Sequence, residues 1–233
     1  MKRTGIARLV PRFLGIGCAV AFGGWVAAMW HLEVLGQRLL QPALTLSSGG
    51  RLQPAELSDA ISVFQGARGR LRCRADLLRA GGTLLLASAQ ATPASAPDPE
   101  RLQLAEEAFR ESLTCASHQG NVWLVLAQIS TARQGFDDAA VSMLSTSYKL
   151  APNEAWIMPR RVAFIANAPG TIPDDLLSNM GKDVREILEN PNWRTLVDIY
   201  GGSSQTGRLR ILAAVENSPD KLKTRFYLHV LRS

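Results

Sequence analysis

Histidine and cysteine are scarce in this 233-residue chain, three of each, and they lie far apart. Structural zinc sites draw their ligands from close pairs such as C-x2-C, so that class of site is excluded and no metal or cofactor is expected. Aromatic residues make up 6% and charged residues 20%, against 46% hydrophobic. This is the balance of a folded protein, not of a disordered one. Acidic residues are outnumbered, yet the formal charge of +6 misleads, because Lys2, Arg3, Arg8 and Arg12 supply four of those charges at the N-terminus. The thin excess elsewhere forms no basic groove, and nucleic acid is not an expected partner. Alternating strand patterns are also weak, so the expected fold class is all-α.

One long apolar run is present. Residues 13–32 read FLGIGCAVAFGGWVAAMWHL and contain no Asp, Glu, Lys or Arg. As a helix rising 1.5 Å per residue, this run spans the ~30 Å hydrocarbon core of a bilayer. The basic residues before it predict a cytoplasmic N-terminus, residues 1–12, with the rest of the chain on the far side. Trp25 and Trp30 fit the outer interfacial belt. A cleaved secretory signal is the rival, but Ala19-Val20-Ala21, the small-x-small site, leaves too short an apolar stretch before it. Acylation at Cys18 is disfavoured by Gly15 and by the apolar run continuing past the cysteine. The expectation is an uncleaved signal anchor in contact with inner-membrane lipid.

Beyond the span, a helical pattern continues through Leu35, Leu39 and Leu40 to a break at Ser47-Ser48-Gly49-Gly50. Leu57, Ile61, Phe64 and Leu71 share one face of a second helix after Pro54. Gly81-Gly82 is expected to interrupt or end it, with Leu84–Ala89 as a separate short helix. ATPASAPDP, residues 91–99, is too rich in proline to propagate a helix. The organisation that follows is a membrane-proximal helical region over 33–90, a linker over 91–100, a repeat-like segment over 101–166 and a C-terminal helical region over 167–233. In the last of these, Leu176, Leu177, Met180, Val184, Ile187 and Leu188 form one apolar stripe. Residues 193–200 read as helix or strand, and two further helices complete the chain.

The segment after the linker carries a period. Ala105-x3-Phe109 recurs as Ala139-x3-Met143, 34 residues later. Between them Trp123-x2-Leu126-Ala127 opens a helix, Gly135-Phe136-Asp137 turns the chain, and Pro152 follows the second helix. This resembles a tetratricopeptide repeat over residues 120–152, with half a repeat on either side. Ser130 and Met143 depart from the family's usual Tyr and Phe, and Pro159 falls inside the expected next helix. The resemblance implies stacked helical hairpins whose first helices line a concave surface, with Asn121, Leu124, Gln128 and Thr131 as contacts. It is similar to small membrane-anchored accessory proteins of bacterial envelope or exopolysaccharide assembly. The implied role is a periplasmic scaffold for membrane or periplasmic proteins. The alternative is a carbohydrate-binding or envelope-polymer-modifying factor, acting on a polymer such as an anionic polysaccharide, with the arginines or the acidic pairs at its site.

Catalytic constellations are lacking. Gly202-Ser203-Ser204-Gln205-Thr206-Gly207-Arg208 imitates a phosphate loop but has Arg208-Leu209 where the Lys and Mg²⁺-binding hydroxyl belong, so a helix cap explains it better. His31, His118 and His229 have no evident nucleophile beside them. Asp137-Asp138 and Asp174-Asp175 fall at helix starts, where negative charge favours the positive end of the dipole. Arg68, Arg70, Arg72 and Arg74 alternate around a helix axis, as a solvated surface or a contact for an anionic glycan or phospholipid. Arg160-Arg161 is either exposed or faces an acidic partner. Cys73 and Cys115 are disulfide candidates if the domain meets an oxidising compartment, two independent buried thiols being the other reading.

Overall fold

The computed structural model describes residues 6–71, 73–90 and 96–231, with side chains described from residue 21 onward except at 28, 31 and 32. All regular secondary structure among the described residues is helical. The elements are α1 (Ile6–Ser47), α2 (Pro54–Ala67), a short 3-10 turn (Arg68–Arg70), α3 (Ala75–Ala89), α4 (Pro99–Cys115), α5 (Gly120–Gln134) and α6 (Asp138–Leu150). They continue with α7 (Met158–Asn167), α8 (Asp174–Glu189), α9 (Arg194–Gly202), α10 (Gln205–Glu216) and α11 (Asp220–Val230).

Successive helices pack as hairpins, α3 on α4, α5 on α6 and α7 on α8. The long helix α1 lays its C-terminal part on α2 and α3, and α9 to α11 close the other end. The helix starts follow capping chemistry. Asp98 accepts from Glu100 and Arg101 amides at the head of α4, and Asp137 accepts from the Ala140 amide at the head of α6. Each satisfies donors that the first turn leaves without an intrahelical partner. Pro99 and Glu100, which composition assigns to the linker, form the first turn of α4. At the C-terminus of α1, Gly49 takes a φ of 84° and the Gly50 amide returns to Thr45 O at 2.8 Å. That left-handed turn stops the helix where the Ser-Ser-Gly-Gly run predicts.

Two apolar clusters make the core. The first joins α1, α2, α3, α4 and part of α5, around Leu39, Phe64, Leu77, Leu84 and Phe109; the second joins α5 to α11, around Leu144, Val162, Met180, Leu188 and Phe226. Helix α5 belongs to both. Val122, Val125 and Leu126 face the first, while Leu124 and Ala127 face the second. A helix with apolar residues on two faces is one that neighbours cover on both. Full burial of each Leu or Phe contributes ~1.5–3 kcal/mol, so α5 is the pivot on which both halves depend.

Several expectations are corrected. Gly81-Gly82 does not break a helix, since α3 runs straight through it. The glycines admit two rings: a Cβ at Gly81 would come within 2.2 Å of the Phe64 ring and one at Gly82 within 3.0 Å of Phe109. The break instead falls between α2 and α3, so Leu71 lies outside the helix that carries Leu57, Ile61 and Phe64. Residues 193–200 are helical within or beside α9. Pro159 sits at the start of α7, where its missing N–H costs nothing, because residues 155–157 form a turn. Among the described residues no helix is long and apolar enough to cross a membrane. The first part of the expected span, residues 13–20, lies outside the described side chains.

Candidate interaction groove

Two cavities meet at Arg160. One, of about 360 Å³, is bounded by α5 and α7 through Gln128, Thr131, Ala163, Phe164 and Asn167. The other, of about 550 Å³, is bounded by the end of α1, by α3 and by α5, and includes Leu40, Asp76, Arg79, Asn121 and Val125. Helices α5 and α7 open successive hairpins, so their neighbouring faces line a groove whose polar groups alternate with apolar ones. Arg160 crosses between the cavities and donates from Nη1 to Asn121 Oδ1 at 2.7 Å. Arg79 donates to Gln119 Oε1 at 3.0 Å.

The electrostatics of the groove are one-sided. Among the described residues neither Arg79 nor Arg160 lies in an ion pair. Asp76 lines the same wall but is held by Arg74, Nε to Oδ1 at 3.0 Å and Nη2 to Oδ2 at 2.8 Å. That paired geometry depresses the Asp76 carboxyl, the hydrogen bonds from Arg74 being the main cause. Arg160 remains open to solvent on one side, yet the groove walls desolvate it and lower its pKa. The Thr131 hydroxyl is also enclosed without a hydrogen-bond partner. A groove with two cations lacking counter-ions and an unused hydroxyl favours a ligand that brings carboxylates and hydrogen-bond acceptors.

The expected contacts divide. Asn121 lines the larger cavity, and Gln128 and Thr131 the smaller. Leu124 is a correction: it is fully buried in the second core cluster and cannot meet a partner. Arg161 is likewise not exposed. It points into the core and donates from Nη2 to Ala151 O at 2.7 Å. Only Arg160 of that pair faces the groove, while Arg161 turns toward α8. Arg79 was not distinguishable in the sequence from its arginine neighbours, because nothing local marks which turn of α3 faces α5.

The other arginines of the Arg68–Arg74 run are engaged elsewhere. Arg68 reaches Glu111 at 2.9 Å and Glu107 at 3.5 Å, while Arg70 donates to Gly66 O. They do not form one helical surface, since Arg68 and Arg70 lie in the 3-10 turn and Arg74 caps α3. Arg72 lies outside the described residues. Cys73 and Cys115 are joined in a disulfide, with Cα atoms 5.1 Å apart, which ties the start of α3 to the end of α4.

The remaining candidates have structural roles. Ser204 caps α10 by accepting from the Gly207 amide at 3.1 Å, and Arg208 folds back onto Tyr200 O and Gly201 O. Asp138, Asp174 and Asp175 lie in first helical turns. His118 is exposed in the turn before α5, His229 packs edge-on against Trp193, and the His31 side chain lies outside the described residues. Among the described residues no cluster of His, Cys, Asp or Glu is arranged to hold a metal ion. No family model, curated protein or solved structure matches this chain.

Proposed function

We propose that the protein is a membrane-anchored scaffold, accessory to envelope or exopolysaccharide assembly in the bacterial periplasm, whose groove holds an acidic segment of a partner protein. The observation that carries this reading is the pair of arginines, Arg79 and Arg160, lining one groove without carboxylate partners among the described residues. The hairpin order is consistent with the tetratricopeptide-like arrangement that residues 120–152 resemble. The anchor rests on the uncharged run 13–32 and on Phe22, Trp25, Met29 and Trp30, which α1 exposes in a region remote from the core. Lipid would cover these side chains at far lower cost than water.

A photo-crosslinking residue placed at Gln128 in the full-length protein, in native membranes, tests the groove. One dominant crosslinked protein is expected, carrying an acidic segment at the crosslinked site, and Arg79→Glu with Arg160→Glu should abolish it. Crosslinking that survives this charge reversal would sink the acidic-segment reading. Alkaline phosphatase fused after Ser233 should be active in an uncleaved protein; an inactive fusion would remove the periplasmic assignment.

A further inference from the structure

A further cavity lies away from the groove and has the opposite character. It encloses about 660 Å³ between the turn that precedes α7, the end of α8 and the start of α9. This is within the range of pockets that hold small ligands. Two tight turns build it. In the first, Ile157 and Met158 amides both return to Glu154 O, and both side chains are buried in the core. Pinning these neighbours leaves Trp156 turned outward, with 58% of its surface exposed. In the second, Asn190 Oδ1 accepts from the Asn192 amide at 3.1 Å, and buried Trp193 anchors the chain.

The lining is chemically specific. Trp156 offers an aromatic face, and Asn153, Glu186, Asn190, Asn192 and Thr195 offer amides, a carboxylate and a hydroxyl. Among the described residues no lysine or arginine lines the cavity. Among the described residues, the side chains of Asn153, Asn192 and Thr195 make no hydrogen bond to the protein, and the Trp156 indole N–H is likewise unused, whereas that of Trp123 donates to Ser117 O. A planar amide both donates and accepts, and a carboxylate accepts twice, which matches vicinal hydroxyls. The C–H groups on one face of a pyranose are apolar and pack on the π face of an indole, whose electron-rich surface attracts them. The absence of lining cations disfavours an acidic polymer.

We propose that this cavity is a binding subsite for a neutral oligosaccharide, with a sugar ring stacked on Trp156 and its hydroxyls engaged by Asn153, Glu186 and Asn192. A protein segment is the competing occupant. Ala155, Met158, Pro159 and Ile187 also line the cavity and would suit it, but the unengaged Asn153, Asn192 and Thr195 side chains beside an exposed indole favour a hydroxyl-rich ring. The site is independent of the Arg79–Arg160 groove, so the two assignments stand or fall separately.

Calorimetric titration of the full chain, in a detergent without a sugar headgroup, tests the proposal. The probes are linear tetrasaccharides of glucose, mannose, galactose and N-acetylglucosamine. At least one is expected to bind saturably, with affinity nearly unchanged between ~50 and ~500 mM salt because neither side carries a net charge pairing. Trp156→Ala should weaken binding about tenfold or more and Asn192→Ala severalfold, both at exposed positions, while Arg160→Glu leaves it unchanged. If Trp156→Ala fails to fold, Asn192→Ala decides. Binding by none of the four probes overturns the proposal, as does binding undiminished in both cavity variants. Loss of a crosslinked protein partner in Trp156→Ala, without sugar binding by the parent, would assign the cavity to a protein contact instead.

Discussion

Arg161 and Asp183 form an ion pair inside the core, Nε to Oδ2 at 3.4 Å, joining α7 to α8. Tyr148 of α6 completes the cluster, its ring 4.3 Å below the Arg161 guanidinium. The pair is incompletely served. Arg161 Nε and Nη1, Asp183 Oδ2 and the Tyr148 hydroxyl are all enclosed without a well-formed hydrogen bond. The Tyr148 hydroxyl lies near enough to Asp183 to influence its ionisation but not in hydrogen-bonding geometry. Burial outweighs the attraction of Arg161 and pushes the Asp183 carboxyl up to about 7. Burial and the nearby carboxylate together raise the Tyr148 phenol as well.

This predicts an unusual pH dependence. Asp183 is raised from 3.8 to about 7 on folding, so between those limits the folded state holds more protons than the unfolded one. Its contribution is fully present below about pH 4 and is lost as pH rises through about 7. The loss amounts to a few kcal/mol at most. Urea unfolding between pH 4 and pH 8 should show stability falling with rising pH, and Asp183→Asn should flatten that slope. An equal slope in both proteins would remove Asp183 as its source.

Arg210 predicts a stability effect of a different origin. From α10 its Nη1 donates to Ile165 O, Ala166 O and Ala168 O, and its Nη2 to Gly170 O, the nearest contact being 2.6 Å. One guanidinium thereby gathers carbonyls at the end of α7 and in the turn that follows it, where negative partial charge collects, although Ile165 O also accepts from the Ala168 amide. Hydrogen bonds to a charged group contribute ~1.5–3 kcal/mol, and the fork geometry has no equivalent in an ammonium. Arg210→Ala should therefore cost about 2–4 kcal/mol in denaturant unfolding, with Arg210→Lys recovering only part of it. Full recovery by lysine would show that charge alone suffices.

The helical class and most helix starts were legible because they depend on neighbours in the chain. Asp137 and Ser204 cap the helices that follow them, and the α8 stripe of Leu176, Met180, Val184 and Leu188 is buried as its spacing predicts. What failed required knowledge of distant residues. Leu124 shares its helix with the groove-lining Asn121, Gln128 and Thr131, but α5 packs on both apolar clusters, so periodicity could not say which face was inside. Gly81-Gly82 looked like punctuation because the rings that occupy the space, Phe64 and Phe109, belong to α2 and α4. Arg160 and Arg161 are adjacent in sequence and opposite in fate. One lines a solvent-accessible groove and the other is entirely enclosed, a distinction set by which helices flank α7.

The Cys73–Cys115 bridge supplies the last prediction. It closes a sequence separation of 42 residues that includes the Pro-rich stretch between α3 and α4. Closing a loop of that length in the unfolded chain removes conformational entropy worth about 4 kcal/mol in the chain-entropy model. Cys73→Ser with Cys115→Ser should lower the unfolding free energy by about 2–4 kcal/mol. Because Leu71 and Leu113 beside the two cysteines stay buried in the same cluster, helicity by circular dichroism should persist at low temperature. Equal unfolding free energies with and without reductant would show that the packing of α3 on α4 already fixes the ends, leaving the bridge without a stabilising role.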